Sequence, residues 1–279
     1  SWTVSVSANH SAVPASGVQG VPFVPDRPFE AAGGKDCDLL GWLLDEEREG
    51  RPLPPIRCDA LVSYGVVHRL DVGTSGPLCC ARSYYGWAWV NLQFSAMRVI
   101  KEYVCICHGW LSTASLGAQD AVSLHGGRAL VALPLRSRGG RSVVDRAAGR
   151  RAVTELQAVV WLVDERGSRY SLVELRLHTG RLHQIRAHLS ALGHPLVADT
   201  AYGANHSPFS RRLFLHCRRL GLPASGAGVA AEAAEARCPL PEDLCKALKH
   251  LQPADEGFDK GGSRARGLWE KWLRGGCGT

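Results

Sequence analysis

Apolar residues recur at mixed three- and four-residue spacing over 84–98, where Trp87, Val90, Phe94 and Met97 predict a helix. A shorter helix is predicted over 39–44, with Asp38 as its cap and 50–55 as its end. A third follows Gly180, spans about 183–192, and stops at Gly193 with Pro195 two residues beyond. Strand-like segments are 102–107, 130–135, 154–163 and 170–178. The last two, separated by a turn at 164–168, form a predicted hairpin. Residues 66–82 read as a strand, a tight glycine turn and an apolar strand over 77–81. Residues 1–36 have no clear period, and 224–236 form a low-complexity loop or short helical insertion. Strands outnumber helices and short turns join them. This predicts an α+β fold on a central mixed, mainly antiparallel sheet flanked by helices and loops. The expected organisation is a lead-in at 1–36, one domain over 37–250, and a charged, Gly-rich tail at 251–279 whose Trp269 and Trp272 pack back on the body.

Charge sharpens the picture. The 279 residues carry a net +7, which favours a polyanionic partner. Arg136, Arg138, Arg141, Arg146, Arg150 and Arg151 fall in one stretch, and Arg211, Arg212, Arg218 and Arg219 in another. Both suit phosphate contacts, and both equally suit a solvated face. No apolar run is long enough to cross a bilayer, and nothing resembles a signal peptide. The 10 cysteines lack the spacing of a disulfide framework. Cys105 and Cys107 alternate with Val104 and Ile106, so on a strand they share a face and read as buried thiols. A zinc site at Cys105, Cys107 and His108 lacks a second half. A reducing compartment is expected, cytoplasm or an organelle interior, and not secretion.

Three segments carry candidate chemistry. In His68-Arg69-Leu70-Asp71, followed by Gly73-Thr74-Ser75-Gly76, a carboxylate leaves a strand and enters a glycine turn. By itself this is most simply an Asp that caps its own loop. Thr179-Gly180-Arg181-Leu182-His183-Gln184-Ile185-Arg186-Ala187-His188-Leu189 places basic residues on a helix that starts at a glycine, as a solvated helix end also would. Lys101-Glu102-Tyr103 brings a tyrosine into a strand, usually as a packing residue.

Together, the first two segments resemble the HRLD-x-x-TSG and TGR-x-HQIR-x-HL motifs of RluA-type RNA pseudouridine synthases. Further resemblances follow in the family's order: Phe94, Lys101, Tyr103 and Gly109; Leu192-Gly193-His194-Pro195 with Asp199 and Tyr202-Gly203; Leu215-His216; and Pro239-Leu240-Pro241. The resemblance covers roughly 36–250. It implies the pseudouridine synthase fold and isomerisation of uridine in RNA, rRNA or tRNA. It implies Asp71 as the catalytic carboxylate, acting by attack on the sugar or by proton abstraction toward a glycal. It implies Tyr103 stacked on the flipped base. Arg186 would pair with Asp71, because a buried carboxylate needs a cation to stay ionised. Ile185 would line the base pocket and Arg69 would hold phosphate or the flipped state. Thr74, Arg181, His183 and Gln184 would bind substrate or shape the loop and helix start. The chemistry needs no metal and no organic cofactor. RNA is the implied partner, with no membrane partner and a monomer as the default.

The sequence departs from the pattern in places. Residues 9–14 lack the Lys and Gly of the family's Lys-Pro-x-Gly element, Ala198 stands where Gly is usual, Leu156 replaces an aromatic residue, and Pro77 replaces Leu. Residues 1–36 are too few for an S4-like RNA-binding domain. Two other readings compete: an inactive RNA-binding protein that keeps the fold, and a hydrolase using His68 or His183 with Ser75 and Asp71. The second lacks a G-x-S-x-G elbow. A zinc hydrolase is weaker still, since His183 and His188 are five apart, not four.

Overall fold

The computed structural model describes residues 54–112, 122–125, 128–224, 233–254 and 262–276. The helix expected at 39–44 and the lead-in at 1–36 lie outside them. In chain order the elements are α1 (Tyr84–Ser95), β1 (Ile100–His108), β2 (Val122–His125), β3 (Arg128–Val131), β4 (Leu135–Arg138), β5 (Arg141–Val144), β6 (Thr154–Asp164) and β7 (Arg169–Leu177). Then come α2 (Gln184–Ala191), β8 (Leu215–Leu222), β9 (Ala234–Arg237), α3 (Glu242–Leu248), β10 (Leu251–Pro253) and α4 (Gly262–Leu273). The chain divides into two units, one comprising 1–99 with 220–238, the other 100–219 with 239–279.

The larger unit is built on a sheet of order β2-β3-β6-β7-β1-β8, with β10 also on β6. The pairings from β2 through β1 are antiparallel. The architecture is therefore α+β, as expected. The predicted hairpin is present as β6 and β7, joined by a turn in which Asp164 Oδ1 accepts the Arg166 and Ser168 amides. Gly167, at φ +76, occupies the left-handed position of that turn. A register shift between Leu156 and Ala158 bulges β6.

Alternation along the strands feeds two cores, one on each face. Cys105, Cys107, Val173 and Leu175 pack with Ile185 and Leu189 of α2. Val104, Ile106, Val160 and Leu172 pack with Leu244, Leu248 and Trp272 of α3 and α4. The expected packing of the two C-terminal tryptophans is present. Trp272 is fully buried, and its indole N–H donates to Glu174 at 2.8 Å, while Trp269 sits at the margin of the same cluster. Arg218 pairs with Glu102, as does Arg219, and Arg212 with Asp243. These side chains hold the sheet and helices together, so the second arginine group is largely committed to internal ion pairs.

Two strand expectations change, both at proline. The segment 130–135 divides into β3 and β4 around Pro134. In the smaller unit, 66–82 is a loop whose arms meet at a single bridge, Val66 to Cys80, flanked by Val67 N to Cys79 O and Ala81 N to Gly65 O. Pro77 has no N–H for a ladder, and Gly76 at φ +143 turns the backbone away from a strand. The helix of this unit, α1, is capped by the Ser83 hydroxyl on the Gly86 amide. It buries Val90 with Cys79, Val99, Leu220, Leu222 and Ala236.

Candidate active site

The Asp71 loop is assembled from within the smaller unit. Asp71 opens a turn that Thr74 N closes on Asp71 O at 2.9 Å. Gly73 supplies the left-handed residue, φ +81. Asp71 is half-buried, Arg69 exposed and Thr74 buried. The Thr74 hydroxyl has no hydrogen-bond partner among the described residues. His68 holds the loop across its width: Nε2 accepts the Cys79 amide at 3.0 Å, which puts any single ring proton on Nδ1. Its ring also lies 5.1 Å from Phe94. That nitrogen is thus committed to the fold and is a poor general base, which weakens the hydrolase reading. Arg57, which the sequence did not single out, is 2% exposed and donates to Tyr64 O and Ala81 O, at the base of the loop. Gly65 is required there, since a Cβ would meet Ala81 O at 2.5 Å.

The remaining predicted residues belong to the larger unit. Tyr103 is half-buried on β1, opposite Leu175, against the first core. Lys101, two residues earlier on the same strand face, is buried, and its ammonium donates to Thr179 O at 3.4 Å. Burial lowers its pKa from the ordinary lysine value. Gln184 uses its whole amide. Oε1 accepts from Thr179 Oγ1 and Arg181 N, and Nε2 donates to Val153 O and Thr154 Oγ1. With both acceptor and both donor positions filled, Gln184 braces the turn before α2. Arg181 donates from Nε to Arg151 O. Ile185 is 4% exposed and contributes to the core.

Behind the same helix, His188 is fully buried. Its Nε2 bonds Leu133 O, so it carries the proton, and Nδ1 accepts the Thr154 hydroxyl. Burial pushes His188 down from 6.5 to about 4. Between those values the unfolded chain binds a proton that the folded chain refuses, so stability rises with pH across this window and falls on acidification. The full effect is on the order of 3 kcal/mol. Urea midpoints measured from pH 7 to pH 4 should fall, and the His188→Gln variant should show a shallower decline. Equal declines would show that His188 is not the group responsible. Burial acts on the thiols of β1 as well. Cys105 and Cys107 are fully buried in the first core, as the reading of them as buried thiols expects, and burial pushes the Cys107 thiol up to about 12.

Arg186 lies on α2, 8% exposed. The structure gives it a bidentate partner, Asp199, with Nε to Oδ2 and Nη2 to Oδ1 both at 2.7 Å. Asp199 is 2% exposed. The guanidinium also stacks over the Tyr202 ring, 4.9 Å from its centroid. The Tyr202 hydroxyl meets His183 Nδ1 at 3.2 Å. His183 precedes the helix at φ +50. Asp199 is the partner of Arg186 that sequence reasoning missed, although it was visible as a letter of the motif. Ala198 beside it has φ +64, a conformation easier for the glycine usual in the pattern.

The first arginine group decorates a ribbon formed by β4 and β5. Arg138, Arg146, Arg150 and Arg151 are exposed, and none has a side-chain ion pair among the described residues. Such a row suits a polyanion.

Residues 46–191 match the family model described as RNA pseudouridylate synthase. The chain belongs to this family. Asp71, Tyr103 and Arg186 all fall inside the match. The rice protein named RNA pseudouridine synthase 2, chloroplastic (Oryza sativa subsp. japonica), is 30% identical over 258 residues, 84% of this chain and 55% of its own length. Ribosomal large subunit pseudouridine synthase D of Xanthomonas campestris pv. campestris is 32% identical over 251 residues, 82% and 66% of the two chains. Among solved structures, Human RNA Pseudouridylate Synthase Domain Containing 1 superposes with a TM-score of 0.53 at 26% identity, covering 72% of this chain and 79% of that one. The α+β pseudouridine synthase fold expected from the motifs is thereby found. The chain spans about half the length of the curated relatives it matches. No helix among the described residues is long and apolar enough to cross a membrane.

Proposed function

We propose that this chain isomerises uridine to pseudouridine in structured RNA, rRNA or tRNA, with Asp71 as the catalytic carboxylate. The observation that carries this reading is the family match over 46–191, which contains Asp71, Tyr103 and Arg186 in motif order. In the reaction the ribose C1′–N1 bond breaks, a C1′–C5 bond forms, the C5 hydrogen leaves to water, and N1 takes up a proton. The change is redox-neutral and needs no activated donor. Asp71 acts at the sugar, Tyr103 stacks on the flipped uracil, and Arg186 is the cation of the reaction centre. Arg69, Thr74, Arg181 and His183 serve the bound RNA or the shape of its site. Gln184 and Ile185 act by holding α2. The relatives' names include a ribosomal and a chloroplastic enzyme, which supports rRNA as a substrate and a reducing interior, cytoplasm or organelle, as the place of work.

The reading is tested by incubating the protein with rRNA and tRNA transcripts, digesting them, and separating the nucleosides. Pseudouridine in treated RNA supports it. Salt-sensitive binding without any pseudouridine turns the balance to an inactive RNA-binding protein.

The exposed ribbon arginines give a second prediction. Replacing Arg138 and Arg150 with Ala should weaken RNA binding across all sequences alike. It should also flatten the plot of log K against log salt by about 0.7–0.9 for each phosphate that is no longer neutralised. An unchanged slope would remove the ribbon from the RNA interface.

A further inference from the structure

The Tyr202 hydroxyl occupies an unusual position. It accepts the Ser142 amide at 2.9 Å and donates to the Ser142 carbonyl at 3.1 Å. Ser142 lies on β5, paired with Ser137 of β4. One phenol therefore satisfies both outward backbone groups of a ribbon edge residue that is itself 2% exposed. With its own proton given to Ser142, the oxygen can only accept from His183, which places a proton on His183 Nδ1. Arg141 of the same ribbon donates to Ala201 O at 2.7 Å, and the Ser190 hydroxyl of α2 donates to Tyr202 O at 2.8 Å. On its other side the Tyr202 ring lies under Arg186, while His183 meets it edge-on at 5.7 Å. The arginine-bearing ribbon and the guanidinium of Arg186 are thus both bound to one side chain, the ribbon at its hydroxyl and the guanidinium over its ring face.

We propose that Tyr202 is a positioning residue that transmits docking of RNA phosphates on the ribbon to the placement of Arg186. This rests on the proposed reaction and adds to it. The ribbon then contributes to turnover as well as to affinity, because phosphates held by Arg138 of β4 and by Arg150, which is bonded to β4 at Leu135, fix β4; β4 fixes β5 through their pairing, and β5 fixes the phenol against which Arg186 is stacked. Coupling of this kind is claimed only through a contiguous set of contacts, and a double-mutant cycle measures it.

The test compares C5-tritium release from labelled RNA by wild type, Arg138→Ala/Arg150→Ala, Tyr202→Phe, and the combination. In the wild-type background the ribbon substitutions should raise KM and also lower kcat by about threefold or more. In the Tyr202→Phe background the same substitutions should raise KM and leave kcat unchanged. The same kcat factor in both backgrounds, or a ribbon effect confined to KM in both, overturns the proposal. An inactive wild type instead overturns the proposed function. If Tyr202→Phe does not fold, hydrogen exchange at Arg186 Nε, measured in Asp71→Asn to hold RNA without turnover, gives the second reading. RNA should slow that exchange, and the ribbon substitutions should abolish the slowing at saturating RNA. Slowing that persists in the ribbon variant contradicts the coupling.

Discussion

Asp71→Asn is expected to lose turnover by at least about 10⁴-fold, the scale of removing the central group of a catalytic unit. Asparagine keeps the shape of the side chain, and the turn depends on the Asp71 carbonyl and the Thr74 amide, neither of which changes. RNA affinity should be nearly unaffected, because it derives from cations facing phosphates, and loss of one negative charge does not weaken those. Single-turnover rates and binding titrations on the same RNA separate the two effects. A variant that binds poorly would point to a structural role for Asp71. One that turns over normally would remove it from the chemistry.

Asp199→Ala should be the most damaging change away from Asp71. Its side chain is 1% exposed and that of Arg186 is 9% exposed. Removing the carboxylate leaves a guanidinium almost out of water with both bidentate bonds gone, which costs about 3–5 kcal/mol. Catalysis should fall with stability, since the bidentate pair that sets the rotation of the guanidinium is gone. The double variant Asp199→Ala/Arg186→Met separates these effects. It removes the buried guanidinium whose carboxylate partner is gone, so the urea midpoint should recover most of its loss while turnover stays absent. Recovery of neither would mean that Asp199 supports the fold through contacts other than Arg186. Recovery of both would mean that Arg186 takes no part in the reaction.

The sheet was legible because its strands obey simple periodicity. Cys105 and Cys107 separate from Val104 and Ile106 onto opposite cores, as their alternation requires. The β6–β7 hairpin follows from apolar runs around a turn with Gly167. The same rule overreached at 77–81 and 130–135, because apolar content does not reveal that Pro77 and Pro134 withhold the amides a ladder needs. The candidate site was legible as motifs, and less so as interactions. Gln184 was open to two readings, substrate contact or shaping of the helix start, and only the fold shows its amide bonded to Thr179, Arg181, Val153 and Thr154. Asp199 and Tyr202 stood in a motif as letters, with no hint that they flank Arg186. Arg57 resembles any other surface arginine in the sequence, and only the fold shows it buried beneath the loop of Asp71. Ion pairs and stacks between residues far apart in sequence have no period to betray them.

Isomerisation moves the glycosidic bond to uracil C5. The most direct measurement is release of tritium from RNA labelled at that carbon, comparing the wild-type chain with Asp71→Asn. The C5 hydrogen must leave when C5 becomes the glycosidic carbon, so wild type should release tritium and Asp71→Asn should release none above background. Release by both proteins, or by neither on RNA that the wild type demonstrably binds, would contradict the account.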